Sequence, residues 1–456
     1  MKKFLFYKGK RISKVGFFGL GRSNLALFNY LSENYEGLSF MLRSDKAIGK
    51  KDGFSELLYE KAARIDITED VLFLSPSVRR DSEEFLLARR QGVILSSDVE
   101  FFFEQRRVPV FSVTGSDGKS TTATLASLFL SSDEGDFPAS ANIGLPMTSL
   151  LGNPRLRGTV AELSSFQLMD FSPTSERAVI TNVSENHLDW HTSFNEYLYA
   201  KENVLRFAKK RIFNLDCPYS RTISEKYPAF AVFSTELTHS ELCRTVTANH
   251  YFTVENGYIC SSGEPLFTCD RIKVSGNHNL SNFLAAMALT AELVSTEKII
   301  GVAESFEGLS HRARLVGNFN GIYFYDSSID STPTRTAVTL RAIKSPIILI
   351  LGGRGKRLSY SPLFPLPKNV KAVVLTGENK YEILKEFTER EKHGEISVKI
   401  LLKNAFSDAV AAALQEAVSG DAVLLSPAST SFDSFTDYKE RGDAFSEIIK
   451  NYYTEK

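Results

Sequence analysis

Short, almost wholly apolar runs recur along the chain, and three of them lead straight into glycine. Val15-Gly16-Phe17-Phe18-Gly19-Leu20-Gly21 precedes a helix-compatible stretch from Ser23 to Glu33. Val108-Pro109-Val110-Phe111-Ser112-Val113-Thr114 runs into Gly115-Ser116-Asp117-Gly118-Lys119-Ser120-Thr121. Ile347-Ile348-Leu349-Ile350-Leu351 runs into Gly352-Gly353-Arg354-Gly355-Lys356. A strand covered on both faces has no polar side to alternate with, so a brief apolar run followed by a glycine turn and a helical pattern predicts a parallel α/β unit. Runs at Val71-Leu72-Phe73-Leu74, Thr159-Val160-Ala161, Ala178-Val179-Ile180, Ala372-Val373-Val374-Leu375 and Ala422-Val423-Leu424-Leu425 repeat the signal. Between about 215 and 275 the runs shorten and become more polar, as in His250-Tyr251-Phe252-Thr253-Val254. Turn signals at Asn256-Gly257 and Ser262-Gly263 predict an antiparallel insertion there.

At roughly 150 residues per domain, a chain of 456 residues predicts three domains. The changes of texture place them at 1–104, 105–312 and 313–456, with no internal repeat. Lys and Arg number 54 against 54 Asp and Glu, which argues against a general polyanion binder such as a nucleic-acid protein. A small anionic ligand needs only a few local donors and stays open. Cys217, Cys243, Cys260 and Cys269 form neither a CxxC pair nor a zinc spacing, so a reducing compartment is expected. No run reaches the roughly 18–20 apolar residues of a membrane span. The basic N-terminus develops no apolar signal region either, so a cytoplasmic protein is expected.

The segment 115–121 carries the strongest local chemistry. A strand feeding a glycine-rich turn presents backbone N–H groups to phosphates, and a helix starting at Ser120 adds its positive end. Lys119 would reach the β- and γ-phosphates, and the Ser120 hydroxyl would sit on Mg²⁺. The strict Walker spacing needs glycine where Val113 stands, which weakens an ordinary kinase or GTPase reading. A surface turn that happens to contain Gly-Lys-Ser is the competing and weaker interpretation.

Glu162 follows an apolar run and could hold Mg²⁺ bridging nucleotide phosphates, or could merely cap a helix. His187 and His191 have the i, i+4 spacing of helical metal ligands, but no companion carboxylate completes a motif, and such pairs are more often structural. By periodicity Lys201 is an ordinary helix-surface lysine.

Taken together, the phosphate loop, Asn142-Ile143-Gly144, Glu162-Leu163-Ser164-Ser165-Phe166-Gln167-Leu168 and Asn186-His187-Leu188-Asp189-Trp190-His191 resemble the Mur ligases. These are the ATP-dependent amide-forming enzymes of peptidoglycan synthesis. Gly276-Asn277-His278-Asn279-Leu280-Ser281-Asn282, His311-Arg312 and Ser426-Pro427-Ala428-Ser429-Thr430-Ser431-Phe432-Asp433 continue the resemblance in order along the chain. The family fold it implies is α/β: a Rossmann-like N-terminal domain for a UDP-sugar, a P-loop-type central ATPase domain and a Rossmann-like C-terminal domain for an amino acid. Pro333-Thr334-Arg335-Thr336, the Ser-Ser-Phe-Gln-Leu run and Arg441-Gly442 are most similar to the branch that adds D-glutamate to UDP-N-acetylmuramoyl-L-alanine through an acyl phosphate.

By the same resemblance, the loop residues Gly115, Ser116, Asp117, Gly118, Lys119, Ser120 and Thr121 bind ATP, with Lys119 steadying the transferred phosphoryl group. Ser120 and Glu162 hold a first Mg²⁺. His187 stands beside a second, together with a Lys201 carbamylated by CO₂. Asn279, Asn282, Arg312 and, provisionally, Asp326 contact the nucleotide. Ser331, Lys356, Ser431 and Tyr438 receive the amino acid. Ser23, Arg43, Ser44, Asn142 and Ser164 face the UDP-sugar substrate. A monomer with small-molecule partners, and no nucleic acid or membrane, is implied.

Departures from the family pattern bear on these assignments. Ser116-Asp117 replaces the commoner Thr-Asn, which sets a negative charge beside phosphate. Asp326-Ser327-Ser328-Ile329 replaces Asn-Asp-Ser-Lys, so the ribose contact is provisional. Ser75-Pro76-Ser77-Val78 lacks the usual glycine of the sugar-binding turn. Gly19-Leu20-Gly21-Arg22-Ser23-Asn24 lacks the third glycine of a dinucleotide fingerprint, which disfavours a dehydrogenase. A sister ligase adding another amino acid, a folylpolyglutamate-type enzyme and a catalytically silent nucleotide-binding scaffold are the other readings.

Overall fold

The computed structural model describes residues 2–19, 21–44, 58–61, 67–188, 190–274, 276–355 and 358–454. It is a mixed α/β protein with three principal sheets. The first is a five-stranded parallel sheet in the order Leu58–Lys61, Ser39–Ser44, Lys14–Phe18, Val71–Leu74, Ile94–Ser96. The second has nine strands, with Val110–Thr114 between Thr159–Glu162 and Arg177–Ile180. The third has six, with Ile347–Gly352 between Ala422–Leu425 and Val370–Thr376. Val71–Leu74, Val110–Thr114, Thr159–Glu162, Arg177–Ile180, Ile347–Gly352 and Ala422–Leu425 are buried along their full length, which is why they read as unbroken apolar runs.

Two compact units result. Met1–Lys273 with Asn277–Ser305 holds the first two sheets, and Val274–Gly276 with Phe306–Lys456 holds the third. The boundary predicted near 104 thus separates two sheets of one unit, and the break at Ser305/Phe306 precedes the boundary predicted near 312.

The texture change after residue 215 marks an extension of the nine-stranded sheet, antiparallel only at its edge. Lys210–Asn214, Ala231–Ser234 and His250–Glu255 pair in parallel and extend the nine-stranded sheet. Only Tyr258–Ser261 and Glu264–Thr268 add antiparallel pairing at its edge. Both turn signals hold: Asn256 and Gly257 have φ of 51° and 80°, and Ser262 and Gly263 have 49° and 90°, as two-residue hairpin turns require. Strands nearer a sheet edge lose cover on one side, so their polarity rises without a change of fold. Among the described residues no helix is long and apolar enough to cross a membrane.

Candidate active site

The buried strand Val110–Thr114 delivers the chain to a loop that only glycine can make. Gly115 has φ +153° and Gly118 φ +78°. A Cβ on Gly115 would collide with Thr181 Oγ1, and one on Gly118 with Asn282 Oδ1. Gly118 is the N-cap of the helix Lys119–Leu130. The first N–H groups of a helix have no partner within it, so they and the helix dipole point positive charge at the loop.

The loop is pinned from behind. Ser116 N–H donates to the Asn182 carbonyl at 2.8 Å, and Ser116 Oγ lies 2.7 Å from the Tyr197 hydroxyl. Thr181 Oγ1 donates to the Asp117 carbonyl at 2.6 Å, and Asp117 N–H to Asn182 Oδ1 at 2.9 Å. The Asp117 side chain itself is exposed, so its charge has water for company. Thr121 is buried and Ser120 half-buried in the first turn of the helix.

Three charged side chains gather at this loop. Lys119 Nζ donates to the Ser116 carbonyl at 2.9 Å. Glu162, 1% exposed, ends the strand beside Val110–Thr114; its Oε1 accepts from Asn142 Nδ2 at 2.7 Å. Its Oε2 is buried with no hydrogen-bond partner. Lys201 lies on the inner face of the helix Phe194–Arg206 at 1% exposure, with Nζ donating to the Gly115 carbonyl at 2.6 Å and sitting over the Tyr197 ring. The surface-lysine reading is therefore wrong. A buried ammonium loses its hydration, and Lys119 repels it further. Both effects hold Lys201 well below the usual lysine range, with Asp117 and Glu162 opposing them. The amine is thereby biased toward its neutral, nucleophilic form.

An anionic oxygen left buried without a partner is costly unless a cation completes it. Glu162 Oε2 therefore fits a metal ion at the loop. Among the described residues no group of three or more His, Cys, Asp and Glu could hold a metal by itself. A hard cation sharing one carboxylate with phosphate oxygens and water needs no such group, and Mg²⁺ is bound in this way.

The two histidines sit in different environments. His187 is exposed at φ +55°, packed edge-on to Phe166. His191 is buried, with Nε2 2.9 Å from Ser165 Oγ and Nδ1 3.3 Å from Glu196 Oε2. Burial holds its pKa below the ordinary histidine value, despite the pull of Glu196.

Among the nucleotide candidates, Asn282 is buried against Gly118 on the helix Asn277–Thr290, and Asn279 is half-buried one turn earlier. Ser23 lies in the first turn of the helix Arg22–Asn34, and Ser44 ends the strand Ser39–Ser44. Arg43 is buried in a two-point pair with Glu69, at 2.6 and 3.1 Å, a side-chain role its sequence assignment did not foresee. Ser164 caps the short helix Ser165–Leu168 in a reciprocal capping box with Gln167.

In the second unit, Asp326 is buried and bonded to His311 Nδ1 at 2.7 Å and to the Ser328 N–H at 2.8 Å. Each oxygen of the provisional ribose contact thus takes part in one hydrogen bond within the chain. His311 also meets Tyr438 edge to face, beside Arg312 in the chain. Ser431 is buried, its carbonyl accepting from Ser434 and Phe435, and Ser331 is half-buried. Lys356 lies outside the described residues.

Sequence reasoning singled out neither Tyr197 nor Glu196, and it passed over Arg79. Their importance comes from partners far along the chain, and no local motif marks them.

Known proteins are similar to this chain in sequence and in fold. Residues 113–290 match the family model described as Mur ligase middle domain, and residues 311–429 that described as Mur ligase, glutamate ligase domain. The UDP-N-acetylmuramoylalanine–D-glutamate ligase of Clostridium perfringens is 33% identical over 462 residues, covering 98% of both chains. The protein of that name from Ruminiclostridium cellulolyticum is 34% identical over 469 residues, again covering 98% of both. Among solved structures, the UDP-N-acetylmuramate-alanine ligase MurC of Thermotoga maritima superposes with a TM-score of 0.60 at 18% identity, covering 97% of this chain and 100% of that one. MurF ligase of the same organism, in complex with ADP, gives 0.54 at 13% identity, covering 100% and 98%.

Proposed function

This chain belongs to the Mur ligase family, and we propose that within it the protein is the ATP-dependent ligase that joins D-glutamate to UDP-N-acetylmuramoyl-L-alanine, a step of peptidoglycan synthesis. The choice of D-glutamate is supported by relatives of that name that align from end to end. The chemistry is supported by one observation above the others: Lys119, Glu162 and Lys201 converge on one glycine loop at the end of a buried strand.

A carboxylate is a poor electrophile, and oxide is a poor leaving group. Transfer of the ATP γ-phosphoryl group to the substrate carboxylate corrects both, releasing ADP and leaving an acyl phosphate. The glutamate amine then adds to the carbonyl carbon. Collapse of the tetrahedral adduct expels phosphate, and the amine loses its proton as the amide forms. Phosphoryl transfer asks the protein chiefly for positioning and charge. The loop N–H groups cradle the phosphates, and Lys119 meets charge developing on the transferred group. Ser120 and Glu162 would hold Mg²⁺, which when bound neutralises the phosphate oxygens.

Lys201 has a second task in this reading. Its neutral amine can attack CO₂ and lose a proton, becoming a carbamate whose anionic oxygens would serve as ligands to Mg²⁺. His187 would stand beside that second ion. Ser23, in the first turn of the helix Arg22–Asn34, would face the UDP-sugar, with Ser44 assigned to it by the family resemblance. Ser331, Ser431 and Tyr438 of the second unit would receive glutamate, together with Lys356.

A phosphate-release assay with UDP-N-acetylmuramoyl-L-alanine and a panel of amino acids tests this. Release is expected with D-glutamate and not with L-glutamate. Equal turnover of the two, or none with D-glutamate, would overturn the substrate assignment.

A further inference from the structure

The stretch from Asn182 to Ser193 carries His187 and has no regular secondary structure among its described residues. At its start it is tied to the phosphate loop through Asn182 and Ser184. At its end the tie comes from the other sheet of the same unit, through the turn that follows the strand Val71–Leu74.

Arg79 in that turn donates from one guanidinium nitrogen to the Trp190 carbonyl at 2.8 Å and to Glu196 Oε2 at 3.1 Å. From the other it donates to Glu196 Oε1 at 3.0 Å. Its guanidinium carbon lies 4.9 Å from the centre of the Trp190 ring, whose Nε1 donates to the Ser77 carbonyl at 2.9 Å. Asp81 takes the Nε edge at 3.0 Å and so fixes the plane of the fork.

Glu196 is where this grip reaches the chemistry. It sits in the first turn of the helix that carries Lys201, accepts from the Thr192 N–H at 2.8 Å, and lies 3.3 Å from His191 Nδ1. One side chain in the turn after the strand Val71–Leu74 therefore holds both the end of the His187 segment and the start of the Lys201 helix. His187, at φ +55°, is in a backbone conformation that its surroundings must impose.

We infer that Arg79 is a positioning residue for the metal site: acting through Glu196 and the Trp190 carbonyl, it sets His187 and Lys201 at the distance that a bound divalent cation requires. The inference rests on the ATP-and-Mg²⁺ reading above. The planar guanidinium holds the carboxylate and the carbonyl in one fixed geometry, which the rotatable point charge of a lysine ammonium reproduces only in part.

Trp190 is the only tryptophan of the chain, so indole fluorescence comes from this one position. The full-length protein, its Arg79→Ala and its Arg79→Lys forms are compared by acrylamide quenching of Trp190, by thermal unfolding, and by Mn²⁺ binding in the presence of ADP followed by electron paramagnetic resonance. Arg79→Ala is expected to unfold cooperatively, to expose Trp190 to quencher, and to bind Mn²⁺ about tenfold or more weakly. Its affinity for ADP without metal should not change, and Arg79→Lys should recover part of the Mn²⁺ affinity. A folded Arg79→Ala protein with wild-type Mn²⁺ affinity overturns the inference. If that variant does not fold, Glu196→Gln, which weakens the same grip from the other side, is held to the same criterion. Absence of Mn²⁺ binding in the unaltered protein would instead bring down the metal-site reading itself, and the Arg79 role with it.

Discussion

The side-chain nitrogen of Lys201 lies 2.6 Å from the carbonyl oxygen of Gly115, joining the middle of one helix to the first residue of the phosphate loop. Any change in the charge of that nitrogen is therefore felt where the nucleotide would bind. Lys201→Ala is expected to lower phosphate release by orders of magnitude, and added bicarbonate cannot help because no amine remains. A short carboxylic acid that enters the space should restore part of the activity by supplying the missing anionic oxygens. Wild-type turnover in the variant would remove the carbamate from the mechanism.

Glu162 presents the opposite problem, a buried carboxylate with one oxygen unpartnered. Glu162→Gln keeps an acceptor for Asn142 and removes the charge. Turnover should fall sharply, and the Mg²⁺ concentration for half-activation should rise. Thermal stability should be unchanged or higher, because an uncompensated buried charge has been deleted. Loss of activity in step with loss of stability would point to a purely structural glutamate.

Gly118→Ala forces an L-residue into φ +78° and drives its methyl group into Asn282. The backbone conformation alone costs roughly 1–2 kcal/mol. Displacing Asn282 should add a selective loss of nucleotide affinity, which ADP titration by calorimetry would measure against the unaltered protein.

Asp98, fully buried at the start of the helix Asp98–Gln105, is pushed by burial from 3.8 to about 6. The folded state thus keeps its proton to higher pH than the unfolded chain does. Stability contributed by this group is present below pH 3.8 and declines as pH rises toward about 6, because the unfolded state ionises first. Asp98→Asn abolishes that dependence. The melting temperature of the variant relative to the unaltered protein is expected to climb across this window and level off above it. A constant difference from pH 4 to 7 would exclude the shift.

How much of this was legible depended on distance along the chain. Gly115 to Thr121 could be read because strand, turn, helix start and lysine are contiguous, and the physics of phosphate binding there is local. Glu162 was legible as a strand-end carboxylate. The single unpartnered oxygen that separates a metal ligand from a helix cap was not, since it depends on Asn142 filling only one side. Lys201 showed nothing in its periodicity, and only the family resemblance marked it. Arg79 and Glu196 carried no mark of either kind, being 117 residues apart.

The order of apolar runs and glycines determined the α/β character, the buried strands and the phosphate loop, because each is a pattern of neighbours along the chain. Tertiary structure decided which charges are buried together: Lys201 beneath Gly115, Glu162 beside the loop strand, Arg43 against Glu69 and Arg79 across to Glu196. The reason is physical. Hydrophobic periodicity records how much of a side chain is covered, whereas the state of an ionisable group depends on what covers it. That is settled only when distant segments are packed side by side.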